Sequence, residues 1–131
     1  MKVSEVMSKA VIIDDSISLK DAALIMSKKN IASVIVVKDG IIKGIVTERD
    51  ILNNLNNLDK PVSKSMNTKI ITISHDSDIS EAAKIMASKG LRRLPVIKNG
   101  KLAGAVSLRD IIKYAKKNSK PSEDEGDFFF N

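Results

Sequence analysis

The sequence predicts a mixed α/β (α+β) fold made of two like units. Three observations carry this. A shift of sixty residues brings Ala22-Ala23 onto Ala82-Ala83, Ile25-Met26 onto Ile85-Met86, Gly40 and Gly44 onto Gly100 and Gly104, and Arg49-Asp50-Ile51 onto Arg109-Asp110-Ile111. Residues 3–7 also match 62–66, with one extra residue later in the second copy. Helical and strand periodicities then alternate within each copy. Finally, units of about fifty residues are marginal alone, so the copies are expected to be obligate neighbours with buried facing surfaces.

In the first copy, Val11-Ile12-Ile13 reads as a short strand. Leu19, Ala22, Ala23 and Met26 fall on one helical face. Residues 32–38 are rich in β-branched side chains and apolar almost throughout, the pattern of a buried strand. Asp39-Gly40 is a hairpin turn, since glycine tolerates positive φ. Residues 41–46 return as a strand, and a helix is expected from 48 to about 57. Pro61 opens the second copy after a linker at 53–60. There the same order predicts a strand at 70–73, a helical face of Ile79, Ala82, Ala83 and Met86, and a strand at 94–98. Asn99-Gly100 turns, Lys101 leaves the turn, residues 102–106 form the returning strand, and a last helix runs from 107 to about 117.

The expected organisation is a first unit at 1–58, a second at 59–117, and a disordered acidic tail at 118–131. Phe128-Phe129-Phe130 is all the phenylalanine of the chain. It either docks on a surface or hangs free.

Composition narrows the chemistry. No stretch approaches the ~18 apolar residues of a membrane span, and residues 1–5 do not read as a signal peptide, so a cytoplasmic location is expected. Without cysteine there is neither disulfide nor thiolate chemistry. His75 is the only histidine, in a loop before a helix, and reads as structural rather than as a metal ligand. The net charge is +6, unevenly placed. All 22 Lys and Arg lie at or before Lys120 while four of the 16 acids follow it, so residues 1–120 carry +10. Such a body suits phosphates of nucleotides or nucleic acid, or an acidic partner; a solvated lysine surface explains it equally.

The sharpest local signal is Thr47-Glu48-Arg49-Asp50 and its counterpart Ser107-Leu108-Arg109-Asp110, each where a strand becomes a helix. Two readings stand. A hydroxyl three residues before an acid is a capping box. The same geometry suits phosphate through helix N–H groups, the hydroxyl and Arg49 or Arg109, with the acid accepting from a ribose diol. Arg92-Arg93-Leu94-Pro95 breaks the repeat, since the first copy has Ala32-Ser33-Val34-Ile35 there. Two arginines at the start of a strand line a rim or cleft, or form surface ion pairs. No paired-carboxylate site, activated nucleophile or metal cluster is recognisable, which argues against an enzyme.

These residues resemble a tandem pair of CBS domains, the Bateman module, over residues 1 to about 117. The likeness rests on the duplicated order of elements and the Ala-Ala pair in each first helix. It rests also on Arg92-Arg93-Leu94-Pro95-Val96 and on two segments, 44–51 and 104–111, similar to the family's Gly-x-h-Ser/Thr-x-x-Asp signature. The resemblance implies two βαββα units packed through their sheets around a pseudo-two-fold axis, with two clefts between them. It implies adenosine ligands: AMP, ADP, ATP or S-adenosylmethionine. Asp50 and Asp110 would then accept from ribose, Thr47 and Ser107 would contact ribose or phosphate, and Ile45 and Ala105 would wall the adenine. Ile31, Ala32 and Ser33 are expected to face the Asp110 cleft, and Leu91, Arg92 and Arg93 to lie near both. Arg92 and Arg93 stand where the family often keeps a histidine, which favours phosphorylated ligands over S-adenosylmethionine. No obligatory cofactor is implied.

The expected function is therefore a regulatory module that senses adenine nucleotides, pairs into a homodimer and signals to an effector protein in trans. The alternatives are a phosphate-driven nucleic-acid-binding protein and a structural dimer with unused clefts. Tyr114 is the only aromatic residue outside the tail, so base-stacking platforms are nearly absent.

Overall fold

The computed structural model of the chain describes residues 1–118, with the last three as backbone alone. The expectations for the acidic tail and Phe128–Phe130 lie outside the described residues, and Asn118 ends the final helix. In chain order the elements are β1 (Ile12–Asp14), α1 (Leu19–Lys29), β2 (Ser33–Lys38), β3 (Ile41–Thr47) and α2 (Glu48–Leu52), then β4 (Ile73–Ser74), α3 (Ile79–Lys89), β5 (Arg93–Lys98), β6 (Lys101–Ser107) and α4 (Leu108–Asn118).

Each copy builds a three-stranded sheet, β1-β2-β3 and β4-β5-β6. The outer pair β1/β2, like β4/β5, is parallel, and the hairpin is antiparallel. Asp39 and Asn99 take positive φ (53° and 51°), followed by Gly40 and Gly100 at 78° and 76°. That is the conformation a tight two-residue hairpin demands. Both hairpins carry a register shift at the same place, Val36/Val37 and Val96/Ile97.

Two expected elements come out shorter. The helix expected to about residue 57 ends at Leu52, and Leu55–Asn57 is a separate 3-10 turn. Asparagine is the cause: Asn54 donates its side-chain amide to the Asp50 carbonyl at 2.7 Å, competing with the helical ladder. The strand expected at 70–73 is only Ile73–Ser74, because its pairs with β5 are Ile73–Val96 and Ser74–Ile97. Apolar character alone does not make a strand without a ladder partner.

Two cores form, and each receives a plug from the segment that opens the other copy. Leu19, Ala22, Met26, Val34, Val36 and Val46 pack with Val62. Ala82, Met86, Leu94, Val96, Val106 and Ile111 pack with Val3. Val3 and Val62 are both fully buried. Backbone bonds repeat the exchange: the Val62 N–H donates to Ile17 O and the Val3 N–H to Ser77 O, each at 2.8 Å. Ser63 reaches Asp15 O as Ser4 reaches His75 O, and the α1 and α3 N-termini donate to Lys60 O and Met1 O. His75 thus contributes to this exchange through its carbonyl. Among the described residues no helix is long and apolar enough to cross a membrane.

Candidate functional site

Strand alternation decides which side chains meet between the units. Val34, Val36 and Val46 enter the first core, so Ser33, Ile35, Ile45 and Thr47 take the opposite face. Leu94, Val96 and Val106 enter the second core, leaving Arg93, Pro95, Ala105 and Ser107 on the matching face. Ile35, Pro95 and Ala105 are buried yet belong to neither core. They form the layer between the sheets, where β3 meets β6.

The hairpin edge of each sheet, β3 or β6, is bridged by the other copy's opening segment. Ser8 and Ala105 exchange N–H···O bonds of 2.8 and 2.9 Å, and Asn67 and Ile45 exchange bonds of 2.9 and 3.0 Å. The signature glycines are the reason this fits. A Cβ on Gly104 would stand 2.8 Å from Ser8 O, and one on Gly44 would stand 2.6 Å from Met66 Sδ. Ile45 and Ala105, expected as adenine walls, thereby lie directly beneath the crossing segments.

Both capping boxes form. The Thr47 N–H donates to Asp50 Oδ2 at 2.8 Å and the Asp50 N–H to Thr47 Oγ1 at 3.3 Å. The Ser107 N–H donates to Asp110 Oδ2 at 3.0 Å and the Asp110 N–H to Ser107 Oγ at 3.0 Å. The Thr47 hydroxyl adds a bond to the same Oδ2 at 3.1 Å. Only Oδ2 is engaged, and Oδ1 of each aspartate has no hydrogen-bond partner among the described residues. The two readings that compete in the sequence are compatible in space, since one oxygen caps the helix and the other remains an acceptor.

A cavity of about 470 Å³ opens beside Asp110, lined by Met1, Glu5, Val6, Ser8, Lys113 and Tyr114. Glu5, Ser8, Lys113 and Tyr114 are not among the ligand-site residues expected from the sequence. Lys113 and Tyr114 had a readable signal, lying three and four residues beyond Asp110 on one helical face. Ser8 had none, because its place depends on the exchange of opening segments. A second cavity of about 360 Å³, between α1 and α2, holds Ile31, Glu48 and Leu52 among its lining.

The starts of β2 and β5 sit beside the signatures of their own copies. The Glu48 N–H donates to Ala32 O at 3.0 Å and the Leu108 N–H to Arg92 O at 2.8 Å. Ser33 pairs with Thr47 and Arg93 with Ser107. The backbone partners of Ala32 and Ser33 are thus residues of the first copy. Leu91 is half-buried against the second core. Arg49, Arg92 and Arg109 are exposed, and Arg93 is half-buried. Ion pairs join Met1 to Asp78 and Lys38 to Asp15, and neither Arg92 nor Arg93 has an ion-pair partner among the described residues.

A family model described as CBS domain matches residues 3–57 and again residues 62–117. Protein MJ0653 of Methanocaldococcus jannaschii is 46% identical over 117 residues, 85% of this chain and 60% of its own length. The 17.7 kDa protein of the bps2 3' region of Acidianus ambivalens is 34% identical, over 94% of this chain and 81% of its own. Among solved structures, the CBS domain pair of protein MJ0100, in complex with 5-methylthioadenosine and S-adenosyl-L-methionine, is 28% identical. It superposes with a TM-score of 0.80 over 91% of this chain and 98% of that one.

Proposed function

Because the chain belongs to the CBS-domain family, we propose that it is a non-catalytic regulatory module taking adenosine ligands in the clefts beside Asp50 and Asp110. The observation that carries this is the division of labour within each signature aspartate. Oδ2 closes a capping box and Oδ1 has no donor among the described residues, which is what a ribose diol needs. The similar MJ0100 pair is solved with two adenosine derivatives, which supports the ligand class. Thr47 and Ser107 contact ribose or phosphate, and Ile45 and Ala105 wall the base. Arg93 favours AMP, ADP or ATP over S-adenosylmethionine. The basic body, and arginines without an ion-pair partner among the described residues, support the same reading.

The output passes to an effector protein in trans from a cytoplasmic homodimer. Exposed Leu24, Leu52, Leu55 and Ile112 supply apolar helix surface for a second copy. A ligand acts as a switch only by its difference in affinity for two arrangements, typically ~1–3 kcal/mol.

Calorimetric titration of the chain with AMP, ADP, ATP and S-adenosylmethionine tests this, with Asp50→Asn and Asp110→Asn in parallel. Saturable binding that one substitution removes from one cleft is expected. A folded protein that binds none of the four overturns the reading and moves nucleic acid to the front, where affinity falls steeply with salt.

A further inference from the structure

The helical side of the first copy carries an apolar groove with a basic border. Ala23, Ser27 and Asn30 on α1 and Glu48, Ile51 and Leu52 on α2 line its cavity of about 360 Å³. Leu52 is exposed, and so are Leu24 and Leu55, one and three residues from this lining. Lys20 lies three residues before Ala23 and seven before Ser27, so it continues the α1 stripe. Lys28 follows Leu24 by four residues, and Arg49 precedes Leu52 by three. All three cations are exposed, and none has an ion-pair partner among the described residues. Glu48 is the one acid of the lining. The duplication does not repeat this border, since Lys20, Leu24 and Lys28 correspond to Ser80, Lys84 and Ser88.

An occupant suited to this groove is apolar where it enters and acidic beside that. The chain carries such a segment beyond Asn118: Glu123, Asp124, Glu125 and Asp127 lead into Phe128-Phe129-Phe130. Each phenyl side chain can bury ~150–250 Å², a gain it forgoes in water. Phe128 is ten residues past Asn118, a span of up to ~33 Å when extended. That exceeds twice the ~13 Å radius of gyration of a body this size, so the groove is within reach of its own chain. The cavity beside Asp110 is a poorer seat, because Glu5 and Asp110 line it with Lys113 as the only cation. We propose that residues 123–130 dock on the α1/α2 groove of their own chain and exclude a second copy from it. The phenylalanines fill the apolar cavity, and the acids meet Lys20, Lys28 and Arg49. The groove's leucines are the surface assigned above to the homodimer, so docking holds that dimer in check. Only this last step rests on the homodimer reading.

Because Phe128, Phe129 and Phe130 are all the phenylalanine of the chain, isotope-labelled phenylalanine gives NMR signals from this segment alone. In the full chain, Overhauser contacts are expected from the rings to the methyl groups of Ala23, Ile51 and Leu52. They should vanish in Leu52→Asp, a change at an exposed position outside both cores. They should weaken in Lys20→Glu with Lys28→Glu, and with added salt. Sedimentation should show that serine at all three phenylalanine positions tightens self-association at least about 10-fold, since each groove is then open to a second copy. Rings that make no such contacts, or that contact the Asp110 cavity instead, overturn the docking. Contacts seen only between labelled and unlabelled chains place the segment on a second copy and overturn it too. Contacts in place, with self-association unchanged by the serines, remove the competition. If the serine variant stays monomeric at every concentration, the homodimer reading fails, and the ring contacts still decide the docking.

Discussion

A carboxylate that caps with one oxygen and leaves the other open has two separable roles. Asp110→Ala removes both, and its stability cost is expected at about 0.5–2 kcal/mol, the range for a lost cap. Asp110→Asn keeps an oxygen to accept from the Ser107 N–H but puts an amide donor where the diol needs an acceptor. Thermal unfolding is expected to move less for Asn than for Ala, while calorimetry finds the Asp110 cleft empty in both. Equal nucleotide affinity in Asp110→Asn and the parent would remove the ribose role. Asp78 carries a different expectation. The Ser80 hydroxyl and N–H, and then the Met1 amine, hold its carboxyl at about 2, below the ordinary 3.8. A depressed carboxylate contributes stability that is complete above its unfolded value and is lost as pH falls through its folded one. Stability is thus expected to decline between about pH 4 and pH 2, and Asp78→Asn should make that slope shallower in acid titrations followed by circular dichroism. The Ser/Thr-x-x-Asp pattern was legible as a cap, which the structure shows at both signatures. Which carboxylate oxygen closes the cap was not, because it depends on side-chain torsion rather than residue type.

At the scale of elements, the returning strands and hairpin turns were legible from β-branched runs and the Asp-Gly and Asn-Gly pairs. Helix ends and short strands were not. Asn54 turns the chain out of α2 with one side-chain bond, and β4 is as long as its pairing with β5 allows. The crossing segments were also hidden, although the glycines beneath them were visible as a repeat. Gly104→Ala drives a methyl group to 2.8 Å from Ser8 O and 3.0 Å from Met7 Sδ. The nearer atom is backbone, so the segment must shift, at a cost of about 1–3 kcal/mol. Because Ser8 lines the Asp110 cavity, this substitution should weaken binding there more than at Asp50. Gly44→Ala meets Met66 Sδ first, at 2.6 Å, with Asn67 O at 3.0 Å. Adding Met66→Ala should therefore recover part of its loss. Chemical denaturation of the single and double variants checks both, and full tolerance of Gly104→Ala would contradict the close crossing.

For the whole molecule, duplication predicted two units but not that each would be completed by the other. Cutting between residues 58 and 59 leaves the first unit without Val62 in its core and Asn67 on its β3 edge. It leaves the second without Val3 and without Ser8 on β6. Each half then has an unfilled core position and an unpaired strand edge, on a domain already below the size that folds with a comfortable margin. Losing the plug alone is worth about 2 kcal/mol by the scale of large-to-small core substitutions, a large share of what a small domain has. Fragments 1–58 and 59–118 are accordingly expected to show little amide protection separately and to regain native-like exchange and circular dichroism when mixed. The intact chain should unfold in a single transition by every probe, since neither core is complete while the other is open. Val3→Ala and Val62→Ala should lower the midpoint of that one transition similarly, despite lying in opposite cores. Two separated transitions, or a half that folds alone with full protection, would mean that the exchanged segments decorate the units rather than complete them.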